Sequence, residues 1–188
     1  MRTLLLLACG LTWCASGPAQ ERPQQNDTKV AAVSTQTIHN YRKVDDQIIT
    51  GGQPKEEHLQ AAAAEGFKHV INLATINPRY SLADEEGLVR SLGMTYHHIP
   101  VDWGQPTDAD FEAFEGVMNV VDGDKTLIHC AANFRVTAFY SLYAMKRLGW
   151  SQAKAEEFRS SIWRGSDHPV WEEFIRRQEA GNPSSAPK

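Results

Sequence analysis

Along residues 38–180, short apolar runs alternate with longer, more polar stretches that favour helix. "IHNYRKV" (38–44) and "QIIT" (47–50) have the make-up of short strands, with Asp45-Asp46 as the turn between them. Gly51-Gly52 makes a second turn, and Pro54 opens a helix, "PKEEHLQAAAAEG", that stops at Gly66. "KHVINLA" (68–74) reads as a buried strand. "SLADEEGLVRSLG" (81–93) reads as a helix capped by Ser81, with acidic residues in its first turn and Gly93 as its stop. "MTYHHIPV" (94–101) is the next strand, and Thr107 caps the helix "DADFEAFEGVMNVV". The strand 125–129 follows, and helices cover 136–148, 151–161 and 168–180.

Strands and helices that alternate with short connections predict an α/β fold, a mainly parallel central sheet flanked by helices. Such sheets bind ligands beyond the carboxyl ends of their strands. Cys130 lies just past the strand 125–129 and Asp102 just past 94–101, so both belong to the same sheet edge.

The chain ends differ from this middle. "MRTLLLLACGLTWCASGPAQ" carries Arg2, an apolar run from Leu4 to about Trp13, and small residues at 17–19. That is the layout of a signal peptide, and its apolar run is too short to span a bilayer. Lipidation at Cys9 or Cys14 fits less well, because Cys9 leaves a very short apolar run and Cys14 follows bulky Trp13. The expected organisation is a signal peptide (1–19), a flexible polar leader (20–36), one domain (37–180) and a disordered tail (181–188). The protein is then exported, periplasmic or secreted, with no stable membrane insertion after the signal is removed.

Composition adds limits. The 188 residues are 41% hydrophobic and 22% charged, as in a globular protein, and the net charge of −4 offers no footprint for nucleic acid. His97 and His98 are neighbours on a strand and face opposite sides, so they cannot share a metal, and no other histidine spacing suits one. No metal and no cofactor are expected. Trp150, Trp163 and Trp171 are expected in the core.

Cysteine usage is more telling. Removal of the signal takes Cys9 and Cys14 with it and leaves Cys130 alone, so this thiol cannot be half of an internal disulfide. It stands in "TLIHCAANFRVTAFYSLYAM" (126–145), at the joint of a strand and a helix. Such a loop gathers backbone N–H groups around one point, and with the helix dipole it forms an anion site that also favours thiolate over thiol. A thiolate there, with the fork of Arg135 alongside, is equipped to attack phosphorus and to hold the equatorial oxygens. Asp102 is the candidate general acid for the leaving oxygen. The bland alternatives are a buried apolar cysteine, a surface arginine and a turn aspartate.

His129-Cys130, the loop, Arg135 and Thr137 resemble the signature of cysteine-dependent protein tyrosine and dual-specificity phosphatases. "ITGGQPKEEHLQAAAAEGFKHVINL" and "YHHIPVDW" are similar to the opening and the general-acid segment of their compact bacterial branch, which includes beta-lactamase-hydrolase-like, phosphatase-like domains. The resemblance covers about residues 38–180. It implies a tyrosine-phosphatase-like fold and a phosphatase whose partner is a phosphorylated protein or a small phosphate ester. In that reading Cys130, Arg135 and Asp102 are catalytic. Ala131, Ala132, Asn133, Phe134 and Arg135 bind the phosphoryl group, and His129 and Thr137 support the loop. Asn133 stands where the signature has glycine, and asparagine tolerates left-handed backbone. The chain departs from the signature in one respect. Four residues, not five, separate Cys130 from Arg135. Either the loop is shorter and Arg135 serves, or Val136 fills the arginine slot, the two being turned ~100° apart on a helix. Rhodaneses, which carry sulfur on a cysteine, resemble this loop in having a shorter cradle. A sulfurtransferase and a non-catalytic anion binder therefore stand beside the phosphatase.

Overall fold

The computed structural model describes residues 33–164 and 168–181, all within one compact unit. The signal peptide, most of the leader and all but the first residue of the tail lie outside the described residues. The strands are β1 (Arg42–Lys43), β2 (Ile48–Gly51), β3 (His69–Asn72), β4 (Thr95–His98) and β5 (Thr126–His129). The helices are α1 (Glu56–Ala64), α2 (Glu85–Ser91), α3 (Asp108–Val120), α4 (Phe134–Arg147), α5 (Gln152–Trp163) and α6 (Pro169–Ala180).

One sheet has the order β1-β2-β5-β3-β4, and only β1 runs antiparallel. The mainly parallel α/β architecture expected from the alternation is therefore present. β5 is the central strand, paired with β2 on one side and β3 on the other. All four of its residues are buried, because both sheet faces are covered by helices. Successive residues serve opposite faces. Leu127 packs with Ile49, Val70 and Leu59, while Ile128 packs with Ile48, Ile71 and the Phe114–Phe139 aromatic layer. Replacing Leu127 or Ile128 by Ala would cost about 2–5 kcal/mol. Trp171 lies in the second of these layers, and Trp150 and Trp163 pack against it, as expected of core tryptophans.

Three expectations shift in position. The strand expected over 38–44 shrinks to Arg42–Lys43. Ile38 ends a 3-10 turn (Thr35–Thr37), and Asn40 takes a left-handed φ of 53° that no strand accommodates. That turn is tied down by Glu65, which accepts from the Thr35 hydroxyl at 2.7 Å. α2 is capped by Asp84, whose Oδ1 accepts from Gly87 N–H at 2.9 Å, and not by Ser81. Ser81 instead accepts from Asn77 N–H at 3.0 Å and closes the preceding loop. α4 starts at Phe134, two residues earlier than expected, so Arg135 belongs to its first turn. The Thr107 cap of α3 is as expected, with Asp110 completing a reciprocal capping box.

Candidate active site

β5 delivers Cys130 to the carboxyl edge of the sheet, and the chain turns through Ala131, Ala132 and Asn133 into α4. The turn requires one left-handed residue. Asn133 fills it at φ 67°, fully buried. Its amide donates to Asn40 O at 2.7 Å and to Thr50 Oγ1 at 3.0 Å. Asn40 answers by donating to Ala132 O at 3.0 Å, so the two asparagines clasp the loop to the segment before β2. Gln53 N–H donates to Ala131 O at 3.1 Å. In a trans peptide the carbonyl and the following N–H are opposed, so pinning Ala131 O outward turns the Ala132 N–H away from Gln53. The first N–H groups of α4, at Phe134 and Arg135, have no carbonyl partner within the helix and sit at its positive end.

Gly51-Gly52 proves to be more than a turn. Gly51 closes β2, Gly52 bridges Ala132, and neither has positive φ. A Cβ on Gly52 would stand 3.0 Å from Ala131 O and 3.1 Å from His39 O. The missing side chain is what lets the strand touch the loop.

A cavity of about 310 Å³ is lined by the loop residues Cys130, Ala131 and Ala132 together with Tyr80, Trp103, Phe134 and Arg135. Cys130 lines it while being only 1% exposed. Arg135 is 6% exposed, has its guanidinium carbon 5.4 Å from the Trp103 ring centre, and keeps Nε buried with no hydrogen-bond partner among the described residues. Val136 is wholly buried in the core. The helix rotation between the two is thus resolved in favour of Arg135 as the residue that shares a cavity with the thiol.

Other candidates are placed differently. Thr137 donates to Asn133 O (3.0 Å) or Phe134 O (3.1 Å) and accepts from Trp163 Nε1 (3.1 Å), so it secures the helix start. Asp102 is exposed, is not among the cavity-lining residues, and accepts from Gly104 N–H at 2.7 Å in a tight turn. Its neighbour Trp103 is the residue that forms the wall. Trp103 stacks on Trp163 (6.0 Å, 23°), meets Phe134 and His168 edge-on, and its carbonyl accepts from Trp171 Nε1 at 2.9 Å.

Behind the loop lies a buried charge that sequence reasoning missed. His129 has no exposed surface, and its Nε2 is 2.6 Å from Glu85 Oε1, a contact held by charge more than by N–H direction. Gln53 Nε2 donates to Glu85 Oε2 at 2.6 Å. Burial pushes the Glu85 carboxyl up. The close contact with His129, the hydrogen bond from Gln53 and the charge of His98 outweigh it and hold the carboxyl below its usual range. In sequence Glu85 is one of three acids opening a helix, and nothing separates it from Asp84 and Glu86. Asn40 and Tyr80 were equally silent.

No family model matches the chain. The Beta-lactamase hydrolase-like protein of Xylella fastidiosa (strain Temecula1 / ATCC 700964) is 28% identical over 102 residues, which is 53% of this chain but only 23% of that protein. A DUF442 candidate phosphatase of Shewanella putrefaciens CN-32 superposes with a TM-score of 0.72 at 30% identity, covering 78% of this chain and 93% of its own. The core catalytic domain of the PP-IP phosphatase SIW14 of S. cerevisiae superposes at 0.60 with 14% identity, over 78% and 94% of the two chains, a likeness of fold. A central parallel strand leading into a cysteine, a clasped loop and an arginine in the next helical turn accompany these likenesses, and the chain belongs to the DUF442 family of the Shewanella protein, on a tyrosine-phosphatase-like fold.

Proposed function

We propose that this protein is a metal-free, cofactor-free phosphatase that works through a phosphocysteine. The observation that carries this reading is that Cys130 and Arg135 line one cavity, while Val136 is in the core. The Cys130 thiolate attacks phosphorus, forming S–P as the ester O–P bond breaks. Arg135 and the N–H groups of residues 131–135 bind the equatorial oxygens throughout. Asp102 leaves its bond to Gly104 N–H and protonates the departing alcohol, then takes a proton from the water that hydrolyses the phosphocysteine. The substrate is a phosphorylated protein or a small phosphate monoester, met outside the cytosol after export.

Phosphate release from an aryl phosphate tests this. Cys130→Ser should abolish turnover, and Arg135→Lys, which keeps the charge but not the fork, should lower kcat/KM by about 10²-fold. Activity that survives Cys130→Ser would refute the mechanism. The four-residue interval between Cys130 and Arg135 favours a second reading, transfer of sulfane sulfur. A stable gain of one sulfur on Cys130 after thiosulfate treatment, with no phosphate release, would select it.

A further inference from the structure

Against His129, the residue before the nucleophile, the protein buries a carboxylate that the proposed chemistry does not use. Glu85 is the first residue of α2, where an acid ordinarily stays in water near the helix dipole. Here it is 5% exposed and directed inward, against His129 and Gln53. A buried carboxylate is costly unless it is paired, so its retention implies a compensating positive charge. The geometry offers His129, one residue before Cys130 and likewise without solvent.

We propose that Glu85 is a positioning residue of the Cys130 site, holding His129 as an imidazolium behind the thiol. The pair leaves the region near neutral overall but puts its positive member on the strand that carries the nucleophile and its negative member one layer back. Among the described residues, the other groups facing the pair leave that polarity intact. From β4, His98 is engaged through Nε2 with Ala74 O at 2.8 Å, and Tyr96 accepts from Asn72 Nδ2 at 2.9 Å. Burial, and then the Glu85 charge, push the Tyr96 phenol up to about 12, so it stays neutral. From the loop, Gln53 contributes only a neutral amide. On α2, Glu86 pairs with Arg90 at 2.8 Å and is exposed. Arg135 lines the cavity together with Cys130 and makes no ion pair with Glu85 among the described residues. An imidazolium so placed stabilises a neighbouring thiolate.

This inference rests on Cys130 acting as a thiolate, and its test reads the thiol rather than phosphate release, so it can fail while the phosphatase reading stands. The full chain is alkylated with iodoacetamide across pH 4–9, and the rate midpoint is compared among variants. Glu85→Gln keeps the shape and a hydrogen-bond acceptor but removes the charge. Its midpoint should rise by about one pH unit. In a His129→Gln background the same substitution should add nothing, because Glu85 acts through that ring. A Glu85→Gln midpoint that stays or falls, or an effect that persists without His129, would overturn the proposal. Nitrogen NMR of His129 in the wild-type protein guards against variants that fold poorly. Both ring nitrogens should be protonated at neutral pH, and a neutral tautomer would equally overturn it.

Discussion

Asn133 shows how much can rest on one backbone angle. At φ 67° only glycine and asparagine are at ease, and only asparagine also supplies the two donated bonds to Asn40 O and Thr50 Oγ1. Asn133→Gly should therefore keep the loop and cost about 1–2 kcal/mol, whereas Asn133→Ala loses both bonds and strains the turn, costing about 2–4 kcal/mol. Denaturant melts of the two variants would check the order, and an alanine variant as stable as glycine would contradict it. Cys130 was legible from its place at the joint of a strand and a helix, the exchange of glycine for asparagine only through the resemblance to the phosphatase signature, and the choice between Arg135 and Val136 stayed open in the sequence. Asn40 was not legible, because its role depends on a left-handed turn inside a segment whose apolar character reads as strand. Asp102 was legible as a strand-end carboxylate, but its bond to Gly104 N–H is a property of the turn, which composition does not reveal.

The joint of β2 with the nucleophile loop depends on contact between two backbones. Gly52→Ala would press a methyl against Ala131 O and His39 O, so the loop must shift. The expected result is a fold that survives with turnover and anion affinity reduced at least tenfold, read by comparing thermal melts with vanadate binding. Unchanged binding would show that the joint is slack. Thr107 supplies a comparison remote from the chemistry. Removing its cap of α3 with Thr107→Ala should cost about 1 kcal/mol and leave the cavity untouched. The strands and helices were readable because their apolar runs and caps are local signals. The early start of α4 was not, since Phe134 and Arg135 join the helix only when Asn133 and Thr137 fix its first turn.

Across the whole molecule the buried Glu85–His129 pair couples stability to acidity. The Glu85 carboxyl is held below its usual value in the folded protein, so it stabilises fully above the unfolded value of about 4.3. That contribution is lost as pH falls through the folded value. Melts from pH 6 down to pH 3 should show a drop that Glu85→Gln flattens, and parallel curves for the two proteins would exclude the coupling. The parallel sheet and the edge that carries the site were foreseeable from alternation and the carboxyl-end rule, whereas partners of buried charges depend on how distant segments pack. The indole beneath the Arg135 guanidinium has a practical consequence. Trp103 also touches Trp163 and Trp171, so an oxyanion that draws the arginine off its ring alters a cluster of three emitters at once. Titration with vanadate should therefore be readable by native fluorescence, without a dye or a turnover substrate.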